Sequence, residues 1–169
     1  MQRTELEAEL ERIHEASFGW TLACCRWDRS EAEDVQQEAI LKLLDGRARF
    51  DGRSSFRTFL FAVIRRTAAE RRRRAAVRGV ALARWWRNLP EPVAADPERD
   101  AARSAESRSL AAQLASLPAR QRQVLHLVFY QDLSIREAAE VIGVTLGTAR
   151  THYERGKRRL RLLLDQEER

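Results

Sequence analysis

The stretch from Leu133 to Arg150 leaves a chain of this kind few folds to choose from. Ser134 followed three residues later by Glu137 is a capping-box pattern: the hydroxyl accepts from a free amide at the helix start, and the carboxylate reaches back. Ile135, Ala138, Ala139 and Ile142 then recur at helical spacing on one face. Ala139 is small where a second helix has to come close. Gly143 stands where the chain must turn sharply, and positive φ costs glycine nothing. Val144 fills the corner, and Thr145 is placed to cap the next helix. This order of residues predicts a helix-turn-helix.

The second helix of that pair carries Thr148, Arg150, Thr151, His152, Glu154 and Arg155 near its start, with Lys157, Arg158, Arg159 and Arg161 beyond. Hydrogen-bonding groups at the N-terminal end and cations further along suit a helix in a DNA major groove. A plain helical hairpin with a solvated basic face would carry the same residues, so the rest of the chain has to decide. The net charge is +6 and arginine far outnumbers lysine, which favours a polyanionic partner because guanidinium forks match phosphates and guanine edges. Only seven glycines and four prolines interrupt long Ala/Leu/Arg/Glu segments, so the expected fold is all-α.

From the start, Leu6, Leu10, Ile13, Ser17, Trp20, Cys24 and Trp27 form one stripe of an amphipathic helix, with a break expected near Phe18-Gly19. Ser30 is the expected cap of a second helix, Glu31 to about Leu44, buried through Val35, Ala39, Ile40, Leu43 and Leu44. Asp34, Gln37, Glu38 and Leu41 share a different stripe, which is either a plain solvated face or a docking face for a basic helix. A turn at residues 50–56, with Ser54 or Ser55 as a cap, leads to a third helix from about Ser55 to Arg74. Its inner face is Phe56, Phe59, Leu60, Val63, Ile64 and Thr67. Between Arg65 and Arg78 there are seven arginines against one glutamate, more than a helix C-terminus needs, and this predicts a nucleic-acid path.

From about Ala75 to Ala105 the periodicity fails, and Pro90, Pro92 and Pro97 interrupt a stretch that reads as a linker. Trp85-Trp86 within it are expected to dock on something. The second unit begins near Ser107: Leu110, Leu114 and Leu117 mark one helix, and Pro118 opens another, to about Tyr130, with Val124, Leu125, Val128 and Phe129 as its core face. The expected division is 1–78, a linker over 79–106, and 107–169.

Cys24 and Cys25 are adjacent, and with His14 they show no repeated ligand spacing, so they read as small residues buried in a helix, with no metal and no cofactor implied. No apolar run reaches membrane-spanning length and no signal-peptide pattern opens the chain, so a cytoplasmic location is expected.

Taken in this order, the two halves resemble the extracytoplasmic-function (ECF) sigma factors of bacterial RNA polymerase. Residues 32–39, AEDVQQEA, are similar to the family's "AEDLVQET", and 56–61, FRTFLF, to "FRTWLY". Residues 117–122, LPARQR, resemble "LPxxxR"; 133–139, LSIREAA, resemble "LSYEEIA"; and 147–151, GTART, resemble "GTVKS". The resemblance implies a two-domain all-α protein with a flexible link. It implies that Asp34, Gln37, Glu38 and Leu41 face the β′ clamp helices of the core polymerase, with the β flap as a second contact. Phe50, Arg53, Ser54, Ser55, Arg57, Arg65, Arg66 and Arg73 would handle the minus-10 element, where a base is held out of the melted strand. Arg150, Thr151, Glu154 and Arg155 would read the minus-35 element, with Thr148, Lys157 and Arg158 near phosphates. An anti-sigma factor, in some cases holding the complex near the inner membrane, is a further implied partner. The chain departs from the family at Phe59, where Trp is usual, at Arg66 and Glu70, where Asn and Asp are common, and at Thr151-His152.

Two other readings fit parts of the sequence. A stand-alone helix-turn-helix regulator would bind duplex DNA as a dimer, yet no heptad seam is present and the first half would go unused. A nuclease would need metal-binding carboxylates, and Asp34, Glu38 and Asp51 lack the spacing or a paired histidine.

Overall fold

A computed structural model of the chain describes residues 3–85, Leu114 and 116–167, with side chains for 4–78, Leu114 and 116–165. The described residues form seven helices and no strand: α1 (Arg3–Arg12), α2 (His14–Cys24), α3 (Arg29–Leu44), α4 (Phe56–Trp85), α5 (Ala119–Phe129), α6 (Ile135–Ile142) and α7 (Leu146–Glu167). The all-α expectation holds.

The first amphipathic stretch is two helices, and the break falls at Ile13 rather than at Phe18-Gly19. Gly19 stays helical within α2, and a Cβ there would make ordinary contact, 3.6 Å, with the Gln131 side-chain amide. The predicted stripe is nonetheless the buried one, with Ile13, Ser17, Trp20 and Cys24 inside. Trp20, fully buried, donates its indole N–H to the Phe61 carbonyl at 3.0 Å and so ties α2 to α4. Gln36 is also inside, where it accepts from Thr21 at 2.6 Å and donates to Ser17 at 2.7 Å. A buried amide so paired joins α2 to α3 without a desolvation penalty left over.

Asp28, not Ser30, caps α3; its carboxylate accepts from the Glu31 amide at 2.9 Å. The chain turns into this cap through Arg26 and Trp27, both at positive φ, and the helix begins at Arg29, two residues earlier than a Ser30 cap would place it. Val35, Ala39 and Leu43 are buried as expected, whereas Ile40 is half-buried and Leu44 exposed. Ser55 caps α4, accepting from the Thr58 amide at 3.1 Å. Of the predicted inner face of α4, Phe56, Leu60, Val63, Ile64 and Thr67 are buried and Phe59 is half-buried, while Thr58, Phe61 and Ala68 are buried beside them; the helix does not end at Arg74 but runs to Trp85. Ala, Leu and Arg are strong helix formers, and a lone Gly79 costs only about 1 kcal/mol, so helix continues where amphipathic periodicity has already stopped. The indole rings of Trp85-Trp86 and the proline-interrupted stretch lie outside the described residues.

In the second half Pro118 is the N-cap of α5 rather than its first residue. The buried arc of α5 is Gln123 to Leu127, and Phe129, expected inside, is exposed and stacks on Tyr153. The difference has a tertiary cause: α5 is covered by α7 on one side and by α2 on another, so its buried arc is displaced from the one its own pattern suggests. The helix-turn-helix forms as read. Ser134 and Glu137 make both arms of the capping box, and Gly143 ends α6 at φ 67°. Thr145 then caps α7, accepting from the Thr148 amide at 3.2 Å.

The two halves lie against each other. Helix α6 packs on α4 and α5 packs on α2. Val124, Leu127, Leu133, Ala138, Val141 and Ile142 share one buried cluster with Trp20, Leu60, Phe61 and Ile64. A smaller core, Leu114, Leu117 and Leu125 with Tyr153, Leu160 and Leu163 against it, fixes α7 to α5.

Candidate nucleic-acid interface

Asp34, Gln37 and Leu41 are exposed on α3 and Glu38 is half-buried, one stripe at helical spacing as predicted. The stripe is not free of partners. Arg71 reaches Asp34 at 2.7 Å and Glu38 at 3.4 Å, Arg74 reaches Glu38 at 2.7 Å, and Lys42 spans Glu38 at 3.3 Å and Glu70 at 2.7 Å. Burial raises the Glu38 pKa, but the hydrogen bonds from Arg74 and Lys42 outweigh it and hold the carboxyl below its ordinary range. Glu70, one of the departures from the family pattern, serves here as the far end of this network.

That network revises the reading of the arginine run. Arg71 and Arg74 pair with α3, and Arg72 donates to the Cys24 carbonyl at 2.7 Å, so three of the arginines hold the first half together. Arg73 and Arg66 remain exposed. Arg65 is half-buried and donates to Gln123 of the second half at 3.3 Å, and Arg57 likewise donates to Gln131 at 3.1 Å. Arg53 is exposed beside Asp51, and Ser54 and Ser55 lie in the turn before α4. Phe50 packs edge-on against Phe56 and is tilted on Phe59, so its ring serves the aromatic corner of the turn.

On α7 the predicted residues share one outward arc. Thr148, Arg150, Thr151, Glu154, Arg155 and Arg158 are exposed, and Lys157 is half-buried over the Tyr153 ring. The opposite arc holds Ala149 and Gly156 against α5. A Cβ at Gly156 would sit 3.1 Å from Leu125 and 3.2 Å from Gln121, so any larger residue would press these α5 side chains by a few tenths of an ångström where the two helices meet. Reasoning from sequence missed the seam between the halves: Gln123, His126 and Gln131 are buried polar residues there, and no periodic signal marks them. His126 lies 5.6 Å from the Trp20 ring and 6.2 Å from Trp27, and burial pushes its pKa down to about 4. Among the described residues no His/Cys/Asp/Glu cluster could hold a metal, and no helix is long and apolar enough to cross a membrane.

Comparison with known proteins agrees with this layout. Residues 24–78 match the Sigma-70 region 2 family and residues 107–160 match Sigma-70, region 4. The chain is 31% identical over 138 residues to the ECF RNA polymerase sigma factor SigC of Mycobacterium tuberculosis, covering 82% of this chain and 72% of that protein. It is 30% identical over 141 residues to the ECF RNA polymerase sigma factor SigW of Bacillus subtilis, covering 78% and 74%. Its fold is similar to that of the sigma factor RpoE solved in complex with the anti-sigma factor NepR from Bartonella quintana, at a TM-score of 0.74 and 24% identity over 95% of this chain and 97% of that one. It is also similar to CnrH in complex with the cytosolic domain of CnrY, at a TM-score of 0.65 and 22% identity over 98% and 90%. The chain therefore belongs to the extracytoplasmic-function family of RNA polymerase sigma factors.

Proposed function

We propose that this protein binds core RNA polymerase in the cytoplasm and directs it to a defined set of promoters, acting through binding and without chemistry of its own. The observation that carries the reading is the pairing, on one chain, of an acidic stripe on α3 with an outward polar and cationic arc on a capped helix-turn-helix. Asp34, Gln37, Glu38 and Leu41 dock on the β′ clamp helices: the carboxylates are already held in place by Arg71 and Arg74, and Leu41, 55% exposed, supplies apolar contact. The second half meets the β flap.

In this reading Arg150, Thr151, Glu154 and Arg155 read minus-35 base edges while Thr148, Lys157 and Arg158 meet phosphates. The turn from Phe50 to Ser55 and the α4 arginines Arg57, Arg65, Arg66 and Arg73, with Arg53, guide the minus-10 strand. Holding a base out of the stack costs a few kcal/mol, which a cationic path for the strand offsets. The working division is 1–78, 79–106 and 107–169, with α4 extending past the first boundary. An anti-sigma factor, as NepR is for the RpoE relative, keeps the protein inactive.

The test is size exclusion of the protein with bacterial core polymerase, followed by run-off transcription on genomic fragments. A one-to-one complex that initiates at discrete sites is expected, and D34A/E38A should lose it. If no complex forms and the protein instead binds duplex DNA as a dimer, it is a stand-alone regulator.

A further inference from the structure

The turn between α2 and α3 and the start of α5 border a cavity of about 360 Å³, lined by Arg26, Trp27, Leu117, Ala119 and Arg122. That volume lies within the range of small-molecule sites, about 300–1,000 Å³. Among the described residues its wall carries two guanidinium groups, one half-buried indole and no carboxylate. Arg26 and Trp27 are presented from backbone at φ 56° and 68°, a left-handed conformation that is unfavourable for residues with a Cβ.

The cations on and around this wall are close enough to repel one another. Burial lowers the Arg122 pKa, and Arg26 and Arg72 lower it further. Arg65 behaves alike, lowered by burial and then by Arg120 and Arg72. Neutral oxygens meet these side chains: Arg122 donates to the Leu117 carbonyl at 3.1 Å, Arg72 to the Cys24 carbonyl at 2.7 Å, Arg65 to Gln123 at 3.3 Å and Arg120 to the Ile142 carbonyl at 2.8 Å. A carbonyl satisfies a hydrogen bond but leaves the charge itself uncompensated, and in a partly desolvated place like charges repel more than in water. An anion in the cavity relieves that repulsion. The first turn of α5 opens on the same wall at Ala119, and Pro118 before it supplies no side-chain cap, so the positive end of the helix dipole adds to the field.

We propose that this cavity binds a mononucleotide carrying two or more phosphates, with the phosphates between Arg26 and Arg122 and the base against Trp27. A guanidinium fork matches a phosphate bidentately, and two forks on one wall favour more than one phosphate group. An indole supplies apolar surface on which any base can stack. An acidic peptide would meet the arginines but gain little from the indole, so the aromatic wall favours the nucleotide. The lining comes from both halves, and the ligand therefore stabilises their packing by mass action. The site shares no residue with the surfaces given above to polymerase and promoter, and it does not depend on the sigma-factor reading.

The experiment is calorimetric titration of the full chain with ADP, GDP and inorganic pyrophosphate. One-to-one binding of ADP or GDP with a Kd below about 0.5 mM is expected. Pyrophosphate, which has no base to stack, should bind about 5-fold more weakly or worse. Two variants test the wall. Arg26→Gln changes an exposed side chain, and Ala119→Glu sets a carboxylate where an acid also suits the start of a helix. Each should weaken nucleotide binding about 10-fold or more, with a urea midpoint no lower than that of wild type. Trp27→Leu should weaken ADP and leave pyrophosphate unchanged. At ten times its Kd, ADP should raise the thermal midpoint of wild type by about 4 °C. No saturable binding of either nucleotide at about 5 mM, or equal affinity in wild type and Ala119→Glu, would overturn the proposal. Pyrophosphate binding as tightly as ADP would overturn the nucleotide assignment, and so would hexaglutamate binding more tightly than both, which would point to an acidic polypeptide instead.

Discussion

Acidification from pH 7.5 to 5.0 should destabilise this protein through one side chain, His126. The ring is 7% exposed, lies between Trp20 and Trp27, and stacks on Tyr130 at 5.3 Å. Burial lowers its pKa from 6.5 to about 4. The hydrogen-bond chain agrees in sign: with the Gln131 oxygen committed to Arg57, His126 Nε2 faces an amide donor, and a proton there would set donor against donor. Because the folded pKa lies below the unfolded one, the unfolded state binds more protons between pH 6.5 and 4. The stabilisation is complete above pH 6.5 and is lost as pH falls toward 4. The full shift is worth about 3 kcal/mol, of which about 2 kcal/mol is gone at pH 5. In urea this moves the midpoint by about 1 M. Glu38, whose carboxyl Arg74 and Lys42 hold below its ordinary range, keeps its charge at both pH 7.5 and pH 5.0 and so contributes little to the difference between them. The assay is urea unfolding at both pH values for wild type and His126→Gln, which keeps a partner for Gln131 but does not titrate. A wild-type midpoint that stays constant, or a variant that loses as much as wild type, would refute the argument.

Three further outcomes follow from the same geometry. Ser134→Ala removes the hydroxyl arm of the capping box, leaving the Glu137 amide without its cap while the Glu137 carboxylate still accepts from the backbone amide of residue 134, and should cost about 1 kcal/mol, read as a lower thermal midpoint. Gly156→Val places carbon against Leu125 and the Gln121 Cβ, and should cost about 2 kcal/mol or more in urea unfolding. Arg150→Ala, at an exposed position on α7, should leave unfolding unchanged while weakening transcription from the protein's own promoters by about 1–3 kcal/mol of recognition and relaxing selectivity at one minus-35 base pair.

The arginine run shows where local pattern stops being informative. Seven arginines in fourteen positions predict a polyanion path, and the count is correct. Their uses differ because α3 passes alongside α4. Asp34 and Glu38 come within 2.7 Å of Arg71 and Arg74, the Cys24 carbonyl takes Arg72, and Arg73 is left facing outward. A charge's role is set by what lies within a few ångströms of it, and here the partners are over thirty residues away in sequence. Phe129 and Leu127 make the same point for apolar positions, since the helix that covers α5 on its second side comes from the other half of the chain.

What the sequence determined by itself was local. The capping box at Ser134, the left-handed turn at Gly143, the stripe from Ile13 to Cys24 and the outward arc of α7 are each set by residues within one or two helical turns of one another, where spacing alone dictates geometry. Tertiary structure decided the break at Ile13, the ion-pair network between α3 and α4, and above all the seam in which His126, Gln123 and Gln131 meet Trp20, Arg65 and Arg57. Those contacts join residues 58 to 106 positions apart. They depend on how two finished helical units dock, and no helical period encodes that choice.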